Sequence, residues 1–258
     1  MRSPAVISIV LAICTSTCAP AADAIRTEAF DSAGTSISYL VAGAGEPVVL
    51  IHGLHSSAKI NWQLTGTMDL LADRYQVIAL DVRGHGQSGK PTDDDAYGLE
   101  IVEDVARLMD HLKIKQAHIV GYSMGGMVAM KFMTAHPGRV LSGTLGGMGW
   151  LREGSALQNF WEKIPSRDGG RTPSACVHSL GKLAVNQDDV KSIDVPVAVL
   201  VGDRDPVRRL YVTALSRIRD DWPVIEIDDA GHLNCVVKEQ FKDELCKWLD
   251  KNAKKQHP

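Results

Sequence analysis

Short, continuously apolar runs alternate along this chain with longer stretches whose apolar residues recur at helical spacing. No other feature limits the fold so strongly. The apolar runs are Pro47–Ile51, Tyr75–Leu80, Ala117–Gly121, Val140–Gly147 and Val195–Gly202, and Pro223–Asp228 reads as a further strand. Helical patterns lie between and after them. They span Asn61–Arg74, residues 98–112 (with Leu99, Val102, Val105, Met109 and Leu112 on one face), Met127–His136 ahead of Pro137, Pro206–Arg219, and Val236–Ala253. The last has Phe241, Leu245, Trp248 and Leu249 as its apolar face. Before all of these, two segments flank Asp31-Ser32-Ala33-Gly34 and read as a β-hairpin. A strand without polar alternation must be buried on both faces, and helices layered over a parallel sheet do that. The expected architecture is therefore α/β, a mostly parallel twisted sheet with helices on both faces.

One span breaks the rhythm. Residues 148–194 hold no clear buried strand but carry Trp150, Phe160 and Trp161, followed by a Gly/Ser/Pro/Arg-rich stretch. They read as an insertion packed over one end of the sheet. The alternative is a long surface excursion without a role.

The N-terminus stands apart from the domain. Arg2 precedes the apolar run AVISIVLAIC, then small residues ending in Ala22-Asp23-Ala24. A charged residue, a short apolar core and an A-x-A site make residues 1–24 a secretory signal peptide, with cleavage expected after Ala24. The run is too short to span a bilayer; an uncleaved interfacial anchor is the alternative. The product is expected to be secreted or periplasmic, with residues 25–258 as one domain. Net charge is −3 with both signs scattered, so neither nucleic acid nor a cationic partner is expected. Cys176, Cys235 and Cys246 remain after cleavage. If the last two share the closing helix they stand about 16 Å apart along its axis, too far to bridge. A disulfide would then involve Cys176; three buried, unbonded thiols are the other possibility.

Chemistry in a parallel sheet collects at the carboxyl ends of the strands. There the chain reads GYSMGG, Gly121 to Gly126, at a strand-to-helix junction. Glycines around Ser123 let strand and helix pass close to a sharp turn, leaving Oγ exposed above the sheet edge. A serine hydroxyl needs a base, and a base needs an orienting acid. Both follow in order at later strand ends: Gly202-Asp203-Arg204-Asp205-Pro206, then Asp229-Ala230-Gly231-His232. His232 is the expected base. Asp205, reaching further into its loop, is the expected acid, with Asp203 bracing the turn. The oxyanion needs two backbone donors: Met124, after the serine, and Leu54, in the loop after Pro47–Ile51. His52 reads as structural.

With these residues in place, the chain resembles the α/β-hydrolase fold superfamily over nearly all of 25–252, in its serine esterase, lactonase and haloperoxidase branch. The carriers are HGLHSS (52–57), DVRGHGQS (81–88), GYSMGG (121–126), GDRDP (202–206) and DAGHLN (229–234). The resemblance implies that Asp81 and Arg83 tie down their loop and Ser88 closes its turn. It implies that Ser123, Asp205 and His232 are the triad, with Leu54 and Met124 as the oxyanion hole, and that 148–194 is a short cap. Val237 stands where the family often has a glutamate. Serine at the elbow argues against dehalogenases and epoxide hydrolases, which use aspartate there. The expectation is ester, lactone or thioester hydrolysis of a small-molecule substrate, with no cofactor and no metal. A C–C bond hydrolase with the same triad is one alternative, Arg208 or Arg209 then holding a substrate carboxylate. A catalytically silent ligand-binding protein on the same fold is the other. No pattern bears on oligomeric state.

Overall fold

The computed structural model describes residues 24–164 and 172–254. The signal-peptide reading, residues 1–23 up to the edge of Ala24, lies outside them. Eight strands form one sheet: β1 Arg26–Ser32, β2 Thr35–Ala42, β3 Glu46–Ile51, β4 Tyr75–Leu80, β5 Ala117–Tyr122, β6 Val140–Gly146, β7 Val197–Gly202 and β8 Val224–Ile227. Their spatial order is β1-β2-β4-β3-β5-β6-β7-β8. β2 pairs antiparallel with β1 and β4, and every other neighbour is parallel.

The pleat explains why the central strands β3 and β7 are almost wholly apolar, whereas β1 at the edge is mostly polar. Val49 and Ile51 of β3 join one buried cluster, whereas Val48 and Leu50 join the cluster on the opposite face. The helices are α1 Thr67–Ala72, α2 Leu99–His111, α3 Met124–Ala135, α4 Ala156–Lys163, α5 Ser174–Ser179, α6 Gln187–Lys191, α7 Thr213–Ser216 and α8 Glu239–Asn252. Apolar residues of α2 and α3 fill the first face, and those of α1 and α8 the second.

Two expected helices are interrupted. The stretch 61–74 is a helical turn at Lys59–Gln63, then Gly66 at φ 77°, then α1. A left-handed residue cannot continue a right-handed helix, and glycine takes that conformation at little cost. The closing helix is preceded by a separate turn, Cys235–Val237, and Lys238 between them is extended. Cys235 and Cys246 therefore do not share a helix, and Cys176, Cys235 and Cys246 are all free and buried.

The insertion 148–194 carries α4, α5 and α6. It touches loops that leave the carboxyl ends of three strands. Cys176 packs against Gly84 after β4, Thr172 Oγ1 lies 3.1 Å from His55 Nδ1 after β3, and Trp161 Nε1 donates to Tyr211 Oη after β7. Trp150 is buried, and its indole N–H donates to Val185 O at 2.7 Å. That side chain is committed to packing. Among the described residues no helix is long and apolar enough to cross a membrane.

Candidate active site

β5 ends at Tyr122 and α3 begins at Met124, so Ser123 alone makes the turn, at φ 54° and ψ −114°. A non-glycine residue there is strained, and the surroundings must hold it. They do so by close approach. A Cβ on Gly121 would overlap the backbone of Gly125, and one on Gly125 would overlap the Ile51 carbonyl. The Ser123 N–H donates to Gly146 O at 2.7 Å. Strand pairing thus consumes the nucleophile's own amide and leaves Oγ as its free group.

Ser123 Oγ lies 2.8 Å from His232 Nε2, and His232 Nδ1 lies 2.8 Å from Asp205 Oδ2. Three strand ends meet in this chain of contacts: β5 supplies the serine, β7 the aspartate, β8 the histidine. Asp205 has no exposed side-chain surface, while the His232 side chain is 31% exposed. The second Asp205 oxygen accepts Val207 N–H at 2.9 Å, which fixes the carboxylate plane. Buried and hydrogen-bonded, it can hold the Nδ1–H tautomer and stabilise an imidazolium.

Asp203 takes a different position. It is exposed, and its Oδ1 accepts Ala230 N–H at 2.9 Å, tying the β7 loop to the β8 loop. That amide, first among its neighbours, lowers its pKa. Asp203 braces the two loops, and Asp205 faces the histidine.

The N–H groups of Leu54 and Met124 bond no other described backbone carbonyl or side chain, and Met124 is the first residue of the 12-residue α3. Gly53 abuts Ser123: a Cβ on it would be 3.4 Å from that of the serine. Two amides beside the nucleophile, one at a helix N-terminus, favour a developing oxyanion.

Supporting residues hold the loop after β3. Asn61 Oδ1 accepts Gly53 N–H at 2.8 Å. His52, fully buried, sits between Gly53 O at 2.7 Å and Val82 N–H at 3.0 Å. Since Nε2 accepts from Val82, Nδ1 must carry the proton. Burial lowers the His52 pKa to about 4, so the ring is neutral and structural. Asn61 carries no sequence signal for this role, because a polar residue in a helical turn looks solvated. Asp81 accepts from Ala58 N and Gln87 N, and Ser88 Oγ donates to Asp81 O at 2.6 Å. Arg83 is bidentate to Asp104, both bonds 2.6 Å.

Arg208 and Arg209 lie elsewhere. With Arg204 and Arg217 they line an open groove of about 900 Å³ whose lining includes Asp205 but not Ser123 or His232. Arg208 pairs with Glu226. Among the described residues, no group of three or more His, Cys, Asp or Glu side chains is placed to hold a metal ion.

The sequence profile of the alpha/beta hydrolase fold family matches residues 46–187. The acetyltransferase component of the acetoin cleaving system of Pseudomonas putida is 41% identical over 119 residues, which is 45% of this chain but only 31% of that protein. The 2-hydroxy-6-oxo-6-(2'-aminophenyl)hexa-2,4-dienoic acid hydrolase of Metapseudomonas resinovorans is 28% identical over 86% of this chain and 90% of its own length. A thermophilic esterase from Thermogutta terrifontis superimposes with a TM-score of 0.74 at 21% identity, over 89% of this chain and 100% of that one. This last likeness is one of fold.

Proposed function

Because this chain belongs to the alpha/beta hydrolase fold family, we propose that it is a serine hydrolase of carboxylic esters, lactones or thioesters. The observation that carries the reading is the pair of 2.8 Å contacts joining Ser123 Oγ, His232 and Asp205. In the first half-reaction Ser123 Oγ attacks the substrate carbonyl carbon and its proton passes to His232 Nε2. The oxyanion is met by the Leu54 and Met124 amides. Collapse breaks the bond to the leaving alkoxide or thiolate, which takes the proton from His232. Water, deprotonated by the same nitrogen, then cleaves the acyl-enzyme and restores Ser123.

A second reading, hydrolysis of a C–C bond in a dienoic acid, is favoured by the near full-length similarity to the Metapseudomonas resinovorans hydrolase. It needs a cation for the substrate carboxylate. Arg208 and Arg209, the residues first considered for that, line a groove whose walls do not include the serine.

The test is turnover of p-nitrophenyl esters from acetate to dodecanoate, with a 2-hydroxy-6-oxo-dienoate alongside, by the parent and Ser123→Ala. Ester turnover is expected, falling by on the order of 10³-fold or more in the variant. A folded parent silent on every ester sinks the reading, and turnover of the dienoate alone transfers it to the second.

A further inference from the structure

Tyr122 is the position that the glycine–serine pattern leaves unspecified, and it is 4% exposed. Its ring occupies a slot. Gly146 and Gly147 lie so close that a Cβ on either would stand 2.9 Å from a ring carbon, and Phe241 of α8 meets it edge-on at 5.9 Å between centroids. From the slot the phenol donates to the backbone carbonyl of His232 at 2.5 Å, and the ring lies against the imidazole at 5.9 Å. Burial pushes the phenol pKa well above the tyrosine range, so the hydroxyl stays protonated and remains a donor.

The contact closes a small circuit. Tyr122 is covalently joined to Ser123, its hydroxyl grips His232, and His232 Nε2 returns to Ser123 Oγ. The other anchors of the His232 loop run elsewhere. Ala230 is held by Asp203 and by Arg204 N–H, both on the β7 loop, and Gly231 N–H bonds Asn234 within its own loop. Tyr122 alone among these refers the base to the strand that carries the nucleophile. The distinction matters once the serine is acylated. Oγ then has no proton to give, the Oγ–Nε2 hydrogen bond is gone, and His232 must still be aimed at an incoming water.

We propose that Tyr122 is a positioning residue that holds His232 in register with Ser123 through the Tyr122 Oη–His232 O bond, chiefly during deacylation. The proposal rests on the serine-hydrolase reading above. Small displacements of a base cost rate steeply, so removal of the hydroxyl slows the second half-reaction more than the first.

The experiment compares the parent with Tyr122→Phe, which keeps the ring and loses the bond, on p-nitrophenyl butyrate by stopped flow. Rates are expressed per active site titrated with a fluorophosphonate, so that misfolded protein is not counted. The expected result is a kcat lower by on the order of tenfold, a KM that falls with it, kcat/KM within about threefold, and a burst of one p-nitrophenol per site. A purely structural role does not separate kcat from kcat/KM. Unchanged kcat in folded Tyr122→Phe, or kcat and kcat/KM falling together without a burst, overturns the proposal and leaves the hydrolase reading intact. A parent that turns over no ester overturns both.

Discussion

Asp203 and Asp205 stand two residues apart after the same strand, yet their environments assign them different work. The Asp205 side chain is buried between Val207 N–H and His232, whereas Asp203 faces water and holds Ala230 N–H. Asp205→Asn keeps the shape but removes the charge that balances an imidazolium, and it permits the wrong tautomer. The expected loss in kcat is on the order of 10⁴-fold. Asp203→Asn retains an acceptor for Ala230 and is expected to cost less than about tenfold by the same standard. Steady-state kinetics of the two variants side by side decide the matter; a larger loss for Asp203→Asn reverses the assignment. At this scale the sequence was informative because order and loop position follow from strand ends. Tyr122 escaped it because its partner, His232 O, lies 110 residues on, and Asn61 because a polar residue in a helical turn looks solvated.

The segment after β4 shows how an element's neighbours stabilise it. Arg83 and Asp104 are both nearly fully buried, and Ser32 Oγ adds a 2.6 Å bond to the same carboxylate. The pair joins this loop to α2 and the β-hairpin. Burying two charges is costly, and removing Asp104 leaves the buried Arg83 with only a longer, 3.7 Å ion pair to Glu100 among the described residues. Asp104→Ala is expected to lose about 3–5 kcal/mol of stability, while the double variant Arg83→Met/Asp104→Leu regains most of it. Urea denaturation of the three proteins reads this directly; a double variant no better than Asp104→Ala contradicts it. Helix breaks sit at the same scale. Gly66 and Lys238 interrupt patterns that read as continuous, because apolar periodicity reports which face is buried and not where the backbone turns aside.

Across the whole molecule, the buried histidines set the response to acid. Burial lowers the pKa of His52 to about 4, and burial with its neighbour His52 lowers that of His85 to about 3; His118 is also lowered, by burial first. The fold therefore favours neutral rings. Below about pH 6.5 the unfolded chain takes up protons that the folded chain refuses, so stability is full above that pH and falls as pH drops toward the folded values. The slope is about 1.4 kcal/mol per pH unit each for His52 and His85 between that pH and their folded values. Urea midpoints are expected to fall clearly between pH 7.5 and 5.0, and a flat profile there removes the argument. The sheet, its two covered faces and the order of the candidate catalytic residues were determined by the sequence alone, because burial on both faces demands continuous apolar runs and chemistry gathers where parallel strands end. Only the tertiary structure decided which groove Arg208 and Arg209 line and what Tyr122 holds. Each of those depends on contacts between segments up to 110 residues apart, and no local pattern in a chain records the distance between side chains it will bring together.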